Sequence, residues 1–247
     1  QLVLFSTVLV LVGSTWFILQ ILNGNFTIIQ DFIVYQIRLF QTKDAGHGGF
    51  LLYHFVVVLV GVFPASLLAL PAFSRKTLKT EQNPETKHFL QWMIILFWVV
   101  ILLFTIVKTK IVHYSSMTYF PLSFMAAWYI DKVITSKLKF PVYLKILLIV
   151  IAVVFGLAVT AVTVFDKFKH LLYSSVKDEF ALGNMQASSS WYGFEPIIGL
   201  LLIITTVIFV IRIKNHNTLK TVHYLLGGSL TFIFVTMLFV VPQVEKY

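Results

Sequence analysis

Lys108-Thr109-Lys110-Ile111-Val112-His113-Tyr114 holds two ammonium groups, an imidazole and a phenol within seven positions, between two long apolar runs. Lysine offers a compact charge that suits a phosphate, and His and Tyr add hydrogen-bond donors. The connection between the apolar runs is too short to leave a membrane surface. Its cations therefore lie at the depth of lipid phosphates. The residues also fit a second reading, in which the lysines only extend toward water from helix ends. Both readings stand on the residue types alone.

Other candidates lie in segment 23–49. Arg38 and Lys43 are further cations able to meet a phosphate or an acceptor anion, and a solvated helix face explains them equally well. Asp31 and Asp44 are the nearest carboxylates to these cations. Asp31 suits the polar face of a helix and Asp44 a turn, so neither is assigned as a base. His47 sits in Gly46-His47-Gly48-Gly49, where the chain can turn sharply. A lone histidine is a weak metal signal, because a site needs three or four ligands. A divalent cation at His47 would require partners from elsewhere. His54, just inside the next apolar run, is an ionisable group at membrane depth and a candidate on that ground.

The elements that must position these groups follow from composition. The 247 residues are 58% hydrophobic and only 12% charged, with a mean hydropathy of +0.89. A soluble domain needs more charge to cover its surface. Crossing a hydrocarbon core takes about 20 apolar residues in helix. Seven segments qualify: 2–22, 50–73, 89–107, 115–131, 144–165, 196–213 and 223–241. The expected fold is an all-α, polytopic transmembrane helical bundle. The fourth segment is the weakest, since it contains Ser115, Ser116, Thr118 and Pro121. Segment 28–43 is too polar to span and too apolar for a free loop. Phe32, Ile33, Gln36, Ile37, Leu39 and Phe40 oppose Asp31, Arg38 and Lys43. That pattern predicts an external helix lying in the interface.

Seven crossings alternate the loops between two sides. Loops 74–88, 132–143 and 214–222, with their helix ends, carry most of the basic residues in short connections. The positive-inside rule assigns these to the cytoplasm and segments 23–49, 108–114 and 166–195 to the outside. The net charge of +9 is thereby explained by orientation and by membrane lipids, not by nucleic acid. Cysteine is absent, which removes disulfides, thiolate nucleophiles and Cys-ligated metals.

Lys108-x-Lys110-x-x-His113-Tyr114, followed by Pro121, resembles the K-x-x-H-Y stretch of polyprenyl-phosphate-dependent glycosyltransferases of the GT-C fold. These are the aminoarabinose transferase and protein mannosyltransferase-like enzymes. Phe32 to Arg38, then His47, Phe50, Tyr53, Gly61, Phe63 and Pro64, resembles that family's external helix and the span after it, with 23–73 most similar to bacteroidete members. The ending Val241-Pro242-Gln243-Val244-Glu245 is similar to a last span leading into a periplasmic domain. Val112 stands where the family usually has Pro.

The resemblance implies a GT-C-like bundle in a bacterial inner membrane, of which this chain would be the C-terminal half. Earlier spans and a later periplasmic domain would then lie outside it. It also implies an inverting transfer from a polyprenyl-phosphate-linked sugar to a lipid, glycan or protein on the periplasmic side. Lys108, Lys110, His113, Tyr114, Arg38 and Lys43 would bind the lipid phosphate, and His47 matches a position where some relatives bind a metal. The family's catalytic carboxylate belongs to an early external loop, expected outside this chain. Two other functions are open: a transporter or flippase for a lipid or small anion, and a non-catalytic membrane subunit.

Overall fold

In a computed structural model, the structure describes residues 1–43, 48–135, 137–213 and 218–245, with the side chain of Thr218 left out. Among them the fold is all-α, 80% helical and without strands, as the long apolar runs require. The helices are α1 (Leu2–Gly13), α2 (Thr15–Leu22), α3 (Phe26–Gln41), α4 (Tyr53–Gly61), α5 (Ala65–Leu68), α6 (Arg75–Leu78), α7 (Pro84–Ile106), α8 (Tyr119–Ile134), α9 (Val142–Phe168), α10 (Glu179–Gln186), α11 (Glu195–Arg212), α12 (Thr218–Val235) and α13 (Val241–Val244). Turns of 3₁₀ helix cover Leu70–Phe73, Val112–Thr118 and Lys169–Ser175, and Thr236–Val240 is a π-helical turn joining α12 to α13.

Four helical stretches are long and apolar enough to cross a membrane: Pro84–Ile106, Val142–Ser175, Glu195–Arg212 and Leu219–Val244. Two bent pairs raise the number to six. They are Leu2–Gly13 with Thr15–Leu22, bent by 42°, and Tyr53–Gly61 with Ala65–Phe73, bent by 107°. The protein is thus a multi-pass membrane protein by helix length and composition.

Each bend has a local cause. At Ser14 and Thr15 both hydroxyls donate back to carbonyls of the preceding turn, Val10 and Leu11, which loosens the helix ladder. At the second bend Pro64 has no N–H to continue the helix. The Ser66 hydroxyl donates to the Leu59 carbonyl at 2.8 Å and satisfies an acceptor left over by the break.

The expected span over 115–131 differs from the other six. It divides into the 3₁₀ turn Val112–Thr118 and the 16-residue α8, which is shorter than a full crossing. The cause lies in its polar residues. The Ser115 and Thr118 hydroxyls donate to the Val112 and Ser115 carbonyls at 3.2 and 2.7 Å, three residues back, and hold the chain in the tighter helix.

The chain divides into two units. Unit 1 is Gln1–Val58 with Leu96–Thr118, and unit 2 is Leu59–Ile95 with Tyr119–Tyr247. In unit 2, α11 packs between α9 and α12, and α5 packs on α8. A Cβ placed on Gly199 of α11 would come within 2.6 Å of the Gly156 Cα of α9, so only glycine permits this approach. Glu195 opens α11 fully buried, its carboxylate accepting the N–H groups of Tyr192 at 2.7 Å and Gly193 at 2.8 Å. Gly193 supplies the left-handed φ of 90° that this turn requires. Also in unit 2, α8 runs antiparallel to the first half of α7. Phe124 meets Phe89 edge to face at 4.6 Å, and Lys132 meets Glu81 at 2.7 Å. The step from Phe124 to Lys132 equals the step back from Phe89 to Glu81.

In unit 1, α2 packs against α3, with Trp16 and Phe17 on Phe32. α3 buries only Ile29 and Leu39, so most of its apolar side chains face away from the protein.

Candidate functional site

The candidate residues of unit 1 converge because two helix ends need partners. The last carbonyls of a helix have no intrahelical donor. At the end of α3, the Leu39 carbonyl accepts the Thr109 N–H and the Phe40 carbonyl accepts the Lys108 N–H, each at 3.2 Å. The Thr109 hydroxyl then donates to the Thr42 carbonyl at 2.8 Å. Three hydrogen bonds therefore fix Lys108–Thr109 against the turn that carries Arg38 and leads to Lys43.

At the end of α7 the donor is a side chain. The Lys110 ammonium donates to the Phe104 and Thr105 carbonyls at 2.8 and 2.7 Å. Lys110 is 6% exposed, and burial pushes its ammonium below the usual lysine pKa. Its stem runs beside Gly49, where a Cβ would approach the Lys110 Cγ to 3.0 Å and the Tyr53 ring to 3.1 Å. Lys108, one residue on the other side of Thr109, is exposed, as are Lys43 and Arg38. Arg38 stacks over Tyr35, with its guanidinium carbon 5.0 Å from the ring centre.

His113 and Tyr114 enter through the 3₁₀ turn. Tyr114 is half-buried against Phe104 at 5.0 Å, and the exposed His113 packs edge to face on Tyr114 at 5.2 Å. Phe104 also touches His54 at 5.9 Å, and His54 in turn meets Tyr53. His54 is fully buried with no hydrogen-bond partner on either ring nitrogen.

Comparison with known proteins yields no match among family models, curated proteins or solved structures.

The arrangement separates residues that one motif joins. Lys108, Lys43 and Arg38 present cations at the surface of unit 1, and His113 is exposed five residues after Lys108. Lys110 faces inward and holds the α7 terminus. Such a surface can bind an anion, and Asp31 lies exposed on α3. Asp44 and His47 lie outside the described residues. Among the described residues, no group of three or more His, Asp or Glu side chains could hold a metal ion.

Two positioning residues were not evident from residue type. Thr109 reads as a spacer between two lysines, yet its side chain bonds to a carbonyl 67 positions away. Gly49 reads as a turn residue, yet it admits the Lys110 stem.

Proposed function

We infer that this chain belongs to a membrane glycosyltransferase that uses a polyprenyl-phosphate-linked sugar, and that Lys108, Lys43, Arg38 and His113 receive the lipid phosphate. The observation that carries this reading is the three-bond junction between α3 and Lys108–Thr109. It gathers cations from two distant segments at one helix end, beside a bilayer-length helix. In the reaction, an acceptor hydroxyl attacks the anomeric carbon from the face opposite the phosphate. The carbon–oxygen bond to the lipid phosphate breaks, and the phosphate leaves with the electron pair. Cations held at the leaving oxygens stabilise the charge that develops there. The base that takes the acceptor proton is expected on a carboxylate outside this chain. Lys110 acts in this scheme as a positioning residue.

The reading includes seven crossings, with the reacting face outward in a bacterial inner membrane. Support for the seventh comes from unit 2, where α8 runs back along the first half of α7 from Phe124 beside Phe89 to Lys132 beside Glu81.

The test is binding of a short-chain polyprenyl phosphate to the purified chain in detergent, with the phosphate-free polyprenol as control. Lys43→Gln with Lys108→Gln is expected to weaken phosphate-dependent binding at least tenfold at an unchanged melting temperature. Undiminished binding would overturn the assignment.

A further inference from the structure

Unit 2 contains a second cationic site, built independently of the one in unit 1. A cavity of about 370 Å³ lies between the α6–α7 connection and the end of α8, lined by Lys79, Thr80, Glu81, Gln82, Lys132 and Lys137. Its floor is an ion pair shielded from water. Glu81 and Lys132 are both 7% exposed, with the ammonium 2.7 Å from the Glu81 Oε2. The same oxygen accepts the Trp128 indole N–H at 2.7 Å, and Oε1 accepts the Asn83 N–H at 3.0 Å. Both carboxylate oxygens of Glu81 are thus engaged, and its charge is matched by Lys132.

That leaves Lys79 and Lys137. Both are exposed at the rim, and neither has an acidic partner among the described residues. Their backbones are held in place. The Lys137 and Leu138 N–H groups both donate to the Lys132 carbonyl, at 2.9 and 3.0 Å. On the facing segment, the Lys79 N–H donates to the Arg75 carbonyl and the Glu81 N–H to the Leu78 carbonyl, each at 3.2 Å. The Glu81–Lys132 pair ties these two segments together across the cavity floor. Two unmatched cations therefore face one cavity from two pinned loops, and the Gln82 amide adds a neutral donor to the lining.

We propose that this cavity binds a phosphomonoester dianion, gripped between Lys79 and Lys137 above the Glu81–Lys132 pair. The site goes beyond the glycosyltransferase reading and uses none of its residues. A doubly charged phosphoryl group matches the two free ammonium groups, whereas the neutral floor leaves no further charge to satisfy. Both loops adjoin a helix end, Lys79 to Gln82 directly before α7 and Lys137 directly after α8. The phosphoryl group can therefore arrive on a lipid headgroup or free in water.

The experiment uses the full chain in nanodiscs of neutral phosphatidylcholine. Titration calorimetry with inorganic phosphate reads the soluble source, and competition for a fluorescent phosphatidic acid reads the lipid source. Lys79→Gln with Lys137→Gln is expected to lower affinity at least tenfold in whichever arm binds. Lys79→Arg with Lys137→Arg is expected to stay within about threefold. A charge-matched control, Lys167→Gln with Lys220→Gln, removes two exposed lysines elsewhere in unit 2 and is expected to leave binding unchanged. The melting temperature of each variant monitors folding. Binding in the phosphate arm identifies a soluble ligand, and binding in the phosphatidic acid arm alone identifies a lipid headgroup. No binding in either arm, or an equal loss in the control, overturns the proposal.

Discussion

The ammonium of Lys110 donates to the carbonyl oxygen of Thr105 at 2.7 Å, so a side chain from beyond the helix closes the last turn of α7. Its neighbour in the motif, Lys108, is exposed. The two lysines should therefore fail differently when substituted. A hydrogen bond from a charged donor contributes about 1.5–3 kcal/mol, while exposed substitutions usually stay within about 0.5 kcal/mol. Lys110→Met is expected to lower the melting temperature of the purified chain by several degrees, and Lys108→Gln to leave it unchanged. Equal stability losses would contradict this division.

The Thr109 hydroxyl bond to the Thr42 carbonyl sets a second expectation. Thr109→Val keeps the shape of the buried side chain and removes the donor, leaving the Thr42 carbonyl without that partner. The cost is about 1 kcal/mol. Because the bond joins two segments, its loss should be felt on both. Hydrogen exchange is expected to quicken at the amides of Lys108 and Thr109 and at the last turn of α3. Exchange confined to one segment would mean that the junction rests on the backbone bonds alone.

Much of this architecture is legible in residue order, and the rest fails for physical reasons. Long apolar runs such as 89–107 and 196–213 announce α7 and α11, because length and hydropathy alone decide bilayer crossing. Pro64 likewise announces a break. The run 115–131 reads as one helix but divides at Thr118, because Ser115 and Thr118 redirect their bonds three residues back, and hydropathy is blind to that. In the site, charge is readable but direction is not. Lys108 and Lys110 are identical in type and two residues apart. Only the position of the α7 carbonyls separates an exposed cation from a buried cap. Glu81 and Trp128 carry no signal at all, since they meet across 47 positions of chain.

Glu81 gives a pH dependence with a definite sign. Burial opposes its ionisation, but the hydrogen bonds from Lys132, Trp128 and the Asn83 N–H, with the Lys132 charge, outweigh that and pull its pKa from 4.5 to about 2. As pH falls, the unfolded chain takes up this proton before the folded one. The stabilisation is therefore complete above about pH 4.5 and is lost as pH approaches 2. The melting temperature in detergent should decline as pH falls over that interval, and Glu81→Gln should flatten this part of the decline. Lys132→Met strands a buried carboxylate and is expected to cost about 3–5 kcal/mol, most of it recovered by adding Glu81→Leu.

The Gly156–Gly199 contact predicts an asymmetry between similar substitutions. Neither backbone can retreat without separating α9 from α11, so Gly199→Val should cost more than about 3 kcal/mol as overpacking without relief. Gly183, in α10, has open space around its Cα, and Gly183→Ala is expected to be tolerated. Expression level and detergent stability of the two variants would decide it.

The return of the chain along α7 makes the strongest topological prediction. Lys132 pairs with Glu81, just before α7 begins, while α8 itself begins only after α7 has ended and a 3₁₀ turn has followed. If α7 crosses the bilayer, the residues after α8 must be back on the side from which α7 started, although α8 alone is too short to span. The chain contains no cysteine, so single cysteines can be introduced without removing any background. Ser116→Cys and Lys139→Cys are both at exposed positions. In sealed, uniformly oriented vesicles, a membrane-impermeant maleimide is expected to label one of them from outside and the other only after permeabilisation. Labelling of both from the same side would mean that the segment between them does not cross, and the outward assignment of the Lys108 segment would fall with it.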